Sequence, residues 1–261
     1  MGFLFDLPLI VVGPLIILLL VTLALTGLAI FRRRFLPRLR FGESDAHFSG
    51  AMVASIMVFY GLSMALIAVH VWVTYEDVAS ITSREAASLA TLYRDVSEYP
   101  EPTRAELCER VSEYVRYTIR EAWPMQRRGK IPAAGVERLD RLQATLMAFE
   151  PTTEAQKVLA GETVRAYNAM IEVRRLRLDA VEIHLPGIMW LVIVLGAMIG
   201  VVSAFFFPVV DPRLHRTQIA LLATFIGIVI FMVLALDRPF RGDLGLPSKP
   251  YEIVYEQLMS H

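Results

Sequence analysis

The stretch 48–99, FSGAMVASIMVFYGLSMALIAVHVWVTYEDVASITSREAASLATLYRDVSEY, decides the fold. Its first part, 48–75, contains no Asp, Glu, Lys or Arg. At about 1.5 Å of rise per residue a helix of that length exceeds the roughly 30 Å of a hydrocarbon core. Trp72 and Tyr75 close the run with the aromatic pair expected at headgroup height. The polar continuation over 76–98 meets no proline or glycine before Pro100, so membrane span and extramembrane helix read as one rod.

Three further runs lack acidic and basic side chains: 7–31, 185–210 and 217–236. By contrast, 76–184 holds 34 of the 52 charged residues. With 55% hydrophobic residues and a mean hydropathy of +0.50, this bunching excludes a single soluble globule, a disordered chain and a β-barrel. The expected fold is all-α: an integral membrane protein with four transmembrane helices and a helical extramembrane domain inserted between spans 2 and 3. Its parts are 1–75 (spans 1 and 2 with a basic link), 76–184 (helical domain), 185–236 (spans 3 and 4) and 237–261 (tail). The first run follows a stub without the basic flank of a signal peptide and reads as a retained anchor, with Pro8 and Pro14 in its first two turns.

Charge bias sets the direction. Arg32, Arg33, Arg34, Arg38 and Arg40 lie between spans 1 and 2, and Arg213 and Arg216 between spans 3 and 4. Against these seven the other side offers Arg238, Arg241 and Lys249. The positive-inside rule then places both short links in the cytoplasm, with both termini and 76–184 outside it.

Within 76–184, Pro100 and Pro102 stop the rod and Thr103-Arg-Ala-Glu106 has the form of a capping box. Leu107, Val111, Tyr114, Val115 and Ile119 form the apolar stripe of the next helix. A basic loop, 124–133, leads to a helix over about 134–149 with the stripe Val136, Leu139, Leu142 and Leu146. Thr153-Glu-Ala-Gln156 is a second capping box, opening a helix that runs to His184. The outer helices of this domain join spans 2 and 3 with little slack, so a displacement of the domain would reach those spans. Equally, the long helices could serve only to bury a core.

Enzymatic signatures are missing: no phosphate-cradling glycine loop, no HExxH, no GxSxG. The five histidines, His47, His70, His184, His215 and His261, are scattered, and Cys108 is the single cysteine, so no metal site, disulfide or cofactor is expected. Zero net charge gives no footprint for nucleic acid. Glu106, Glu109 and Glu113 interleave with Arg110, Arg116 and Arg120 as a salt-bridged surface. The expected partners are the lipid bilayer, further copies of the chain and, for a channel, inorganic ions.

Span 2 is the least uniform. Tyr60, Ser63, His70, Thr74 and Asp77 fall near one helical face, with Ile56 and Ile67 completing the ridge. A polar ridge is costly against lipid, so it should face protein or water. Two readings fit: a conduit wall formed when several copies surround an axis, or hydrogen bonding between helices of one subunit. Polarity alone favours the second. Small residues suited to close packing recur as Gly61 and Ala65, as Gly196, Gly200 and Ala204, and as Ala223 and Gly227. Four spans are too few to enclose an aqueous path, so conduction would require an oligomer.

Several motifs now stand in order: Tyr75-Glu76, Glu85-Ala86, Leu92-Tyr93-Arg94, Tyr114, Glu121-Ala122-Trp123-Pro124, Arg174-Arg175-x-Arg177-Leu178, Leu185-Pro186 with Trp190, and Asp237-Arg-Pro-Phe240-Arg-Gly242. Together they resemble a bacterial four-span membrane family of unknown function often labelled bestrophin-like; DxPFxG is the most specific. The resemblance implies a multi-pass protein of the bacterial inner membrane. Bestrophins are pentameric, mainly anion-conducting channels whose second helix lines the pore, and some bacterial relatives prefer cations. Carried over by position, pore lining would fall on Ile56, Tyr60, Ser63, Ile67, His70 and Thr74, in a homo-oligomer with a pentamer as best guess and a lean to anions. The aromatic-rich constriction of bestrophins is not visible here, and their helical domain is cytoplasmic, against the arginine bias. The other function considered is a non-conducting sensor or scaffold whose helical domain binds a partner. Asp237, Arg238, Pro239, Phe240 and Gly242 read as a structural clamp returning the tail to the helical domain. In it Phe240 would re-enter the apolar layer, Glu76, Glu85 or Glu121 would pair with its arginines, and Arg94 with Asp237.

Overall fold

The computed structural model describes residues 9–38, 43–207, 209, 211–242 and 244–260; Pro8, Arg40 and His261 lie outside them. All regular elements among these residues are helical: α1 (Leu9–Arg34), α2 (Glu43–Ser97), α3 (Thr103–Tyr117), α4 (Trp123–Gln126), α5 (Ala134–Ala148), α6 (Glu154–Ala180), α7 (Gly187–Phe205), α8 (Pro212–Leu236) and α9 (Lys249–Val254), with a π-turn before α4 and another after α9. Four of them, α1, α2, α7 and α8, are long and apolar enough to cross a membrane. The chain divides into two compact units: Met1–Val73 with His184–Asp237, and Thr74–Ile183 with Arg238–His261. We call these the membrane unit and the helical unit; α2 contributes residues to both.

In the membrane unit, close approach depends on small residues. A methyl group at Gly227 would stand 3.2 Å from the Ile17 backbone, so α8 lies directly on α1. Gly196 and Gly200 of α7 receive the Tyr60 ring and the Met57 sulfur of α2, and Gly27 of α1 receives the Phe205 ring. Ala204 and Ala223 are buried with Ala24, Leu28, Phe31, Phe205 and Ile219. The pair Gly61 and Ala65 is exposed in the subunit, and nothing comes within 4 Å of where a Gly61 Cβ would be. Within one subunit α2 uses another face, Tyr60, Met64, Ile67 and Val71, to meet the cluster of Ile193 and Val233.

Hydroxyls in the spans bond their own helix. Thr22 donates to the Leu18 carbonyl, Ser55 to Ala51 and Ser63 to Phe59, at 2.6, 2.9 and 2.9 Å. This satisfies a donor where lipid offers no acceptor. At the end of α7, the buried His215 ring lies 3.3 Å from the Ala204 carbonyl and 3.4 Å from the Arg32 guanidinium.

The helical unit has a conventional wet-side core, in which Leu89, Leu92 and Val96 of α2 meet Leu107, Val111 and Val115 of α3, Leu142 of α5 and Met170 of α6, all fully buried. Three local expectations are corrected. Thr103 makes no capping bond, because the helix begins on it with Pro102 at the cap; Glu101 instead accepts the Ala105 N–H at 3.3 Å. Val136 is 51% exposed, since α5 turns Leu139, Leu142 and Leu146 inward. Helix α6 ends at Ala180 rather than His184. The second cap forms: Thr153 Oγ1 accepts the Gln156 N–H at 3.2 Å, while the Gln156 side chain reaches back to the Thr152 N–H.

Candidate functional site

Two places combine polar groups with an unusual setting, one in each unit. The first is the membrane part of α2. Only 6% of its most apolar window is buried, against 39% for α8, and Val58, Phe59, Leu62, Leu66, Val69 and Val73 stand exposed along it. The expected ridge is split by this arrangement. Tyr60 lies over Gly196, with its hydroxyl 3.4 Å from the Ile193 carbonyl, and Ile67 packs on the same α7–α8 cluster. These two therefore serve contacts inside the subunit, because a glycine on α7 leaves room for the tyrosine ring. Ile56, Ser63 and Thr74 are half-buried at the margin, and His70 is exposed.

The second place is in the helical unit. Arg177 of α6 is 1% and Glu85 of α2 is 0% exposed. Two parallel hydrogen bonds join them, Nε to Oε2 at 2.5 Å and Nη2 to Oε1 at 3.2 Å, the bidentate geometry that suits a planar guanidinium. Nη1 donates to the Gln126 side chain. The Tyr114 hydroxyl donates to Glu85 Oε1 at 3.3 Å and accepts from Arg174 Nε at 3.0 Å. Rings of Trp123 and Tyr251 flank the guanidinium, their centroids 5.6 and 5.8 Å from Cζ. Burial alone would lower the Arg177 pKa, but the Glu85 carboxylate more than offsets this and holds the guanidinium charged. Burial, reinforced by Glu85, pushes the Tyr114 hydroxyl up to about 12 and Tyr251 well above its ordinary value. Both phenols stay neutral; Tyr114 donates to Glu85, while the buried Tyr251 hydroxyl has no hydrogen-bond partner among the described residues.

The comparison with known families decides the relationship: the family model described as Bestrophin-like domain matches residues 18–251. The chain belongs to the bestrophin-like family. No curated protein and no solved structure matches it.

In this bestrophin-like chain the match takes in the tail motif; the motif returns the tail to the helical unit as expected, but Phe240 goes to a different place from the one expected. Phe240 is 1% exposed in the core of the helical unit, edge-on to Trp123 at 5.4 Å. It does not enter an apolar membrane layer. The Trp123 indole donates to the Leu246 carbonyl at 2.9 Å, and the Leu246 N–H bonds the Pro239 carbonyl at 2.8 Å. Gly242 adopts φ +74°, a conformation that only glycine takes without strain, and its carbonyl accepts from Arg127 at 2.9 Å. Within the membrane unit, Asp237 accepts the Leu185 N–H at 2.6 Å. Glu85, expected to pair with a tail arginine, pairs with Arg177 because α6 brings that residue into the core. Arg238 is half-buried, and its carbonyl closes the turn to the Arg241 N–H.

The residues that sequence reasoning missed are Arg177, Arg174 and Gln126. A signal was present: Met170, Val173, Arg174 and Arg177 follow the spacing of a buried helical stripe. Charge on such a stripe calls for a buried partner.

Proposed function

We propose that this bestrophin-like protein is a homo-oligomeric ion channel, with the second membrane helix turned toward the shared axis. The observation that carries the reading is the lack of intramolecular cover on α2, the least buried of the four spans, in a chain of a family named for channels. On this reading Ile56, Ser63, His70 and Thr74 line the path, while Tyr60 and Ile67 brace the lining helix from behind. The Ser63 donor is already used on Phe59, which leaves its lone pairs for a passing ion's water. A pentamer and a lean to anions are carried over from the resemblance to bestrophins. The arginine bias supports an orientation with the links after α1 and α7 in the cytoplasm, and the bacterial resemblance supports an inner membrane.

Purified protein reconstituted in planar bilayers will give unitary currents that change in His70→Ala and Ser63→Ala. Silent membranes from an intact oligomer would contradict conduction. The second reading, a non-conducting sensor or scaffold, is favoured by the helical unit, whose tail is locked into its own core through Phe240 and Leu246. Crosslinking in native membranes that reproducibly traps a heterologous partner, without an axial opening, would select it.

A further inference from the structure

The loop after α4 and the turn after α8 bring five cations together. Arg127, Arg128 and Lys130 lie on the loop and are exposed; Arg238 and Arg241 lie on the turn and are half-buried. Residues 122–136 contain no Asp or Glu, and 238–248 contain one, Asp243, outside the described residues. Two glycines permit the contact between loop and turn. Gly129 and Gly242 adopt φ of +71° and +74°, and the Arg241 guanidinium lies against Gly129 in the space that a side chain there would fill. Its charge therefore rests on the loop between Arg128 and Lys130. Arg127 in turn donates from Nη2 to the Gly242 carbonyl at 2.9 Å, so each segment holds the other.

Like charges gathered on one surface repel, and an anionic partner facing them relieves that cost. The place of the turn in the chain says which partner. Tyr75 closes the charge-free run of α2, with Glu76 and Asp77 directly after it, and an aromatic residue at such an end stands at headgroup height. The Tyr75 hydroxyl donates to the Leu244 carbonyl at 3.1 Å, which ties the turn to that level. From the other end, Arg241 follows Leu236, the last residue of α8, closely enough that chain length keeps it within about 18 Å of that helix end. Loop and turn also expose Met125, Ile131 and Leu244. Apolar side chains among cations suit a surface that dips into headgroups, whereas a soluble polyanion has no use for them.

We infer that this loop and turn form a docking surface for anionic phospholipids, with headgroup phosphates against Arg128, Lys130 and Arg241. Arg127 positions the loop through Gly242. The inference stands apart from conduction, because its residues belong wholly to the helical unit.

The test uses the full chain in nanodiscs of phosphatidylcholine alone or with a rising fraction of phosphatidylglycerol, and reads hydrogen–deuterium exchange over 125–131. In the wild type, exchange will slow as phosphatidylglycerol is added and recover in 0.5 M salt, where such contacts are screened over about the length of one ion pair. Each Lys or Arg near an anionic surface strengthens binding about fivefold. Arg128→Gln with Lys130→Gln will therefore weaken it about 25-fold and remove the protection. The charge-keeping pair Arg128→Lys with Lys130→Arg will retain it. Equal exchange in the two lipids, as a different occupant would give, would overturn the surface, as would protection that survives in the glutamine variant or is lost in the charge-keeping one. Inorganic phosphate is the remaining arm: equal protection by it in phosphatidylcholine nanodiscs would refute a lipid as the ligand.

Discussion

The membrane unit and the helical unit solve the same packing problem in opposite ways. In the first, Gly196, Gly200 and Gly227 let backbones and rings approach, and hydroxyls such as Ser63 bond the preceding turn. In the second, large side chains fill the core, and Glu85, Arg177, Gln126 and Tyr114 are buried among them. Solvent explains the contrast. Lipid is as apolar as leucine, so helices in it gain from contact rather than from leaving water. In water, apolar burial drives folding, and the helical unit holds a desolvated ion pair in bidentate geometry, with Gln126 and Tyr114 as further hydrogen-bond partners.

The largest effect should come from the pair itself. Glu85→Ala leaves Arg177 buried without its carboxylate and should destabilise the helical unit by about 3–5 kcal/mol, read by thermal or denaturant unfolding. Replacing both residues by methionine should recover most of that loss; a single substitution costing under about 1 kcal/mol would erase the contrast between the units. Next is the tail: Phe240→Ala removes a buried ring packed on Trp123 and should cost about 3 kcal/mol, with earlier proteolysis after residue 237. The membrane unit should answer to added volume instead. Gly196→Leu should cost about 1–3 kcal/mol through the clash with Tyr60, whereas Gly61→Leu should change the subunit by less than about 0.5 kcal/mol. On the channel reading Gly61→Leu instead shifts the oligomer distribution, seen by native mass spectrometry. The smallest effect is Tyr60→Phe, about 0.6 kcal/mol, the average for a hydrogen bond between membrane helices.

Legibility in the sequence followed the same division. Long charge-free runs and the absence of proline between Phe48 and Pro100 made the four spans and the α2 rod readable, because length and hydropathy are summed over many residues. The stripe Leu107, Val111, Tyr114 was readable for the same reason. Pairings across the chain were not: Glu85 and Arg177 lie 92 positions apart, and only the folded α6 shows that Arg177 points inward. The ridge on α2 misled in part because helical period places Tyr60 and Ser63 on similar faces. Which of the two meets α7 depends on Gly196, a residue of another helix. Phe240 was legible as an anchor but not in its destination, since a phenylalanine fits a lipid boundary and an aromatic core equally well.

The most direct test is a cryo-EM map of the intact particle in lipid nanodiscs. The account predicts several copies around one axis, with Ile56, Ser63 and His70 of every α2 bordering a continuous watery passage. A map in which those side chains face lipid, or in which acyl chains fill the centre, would contradict it.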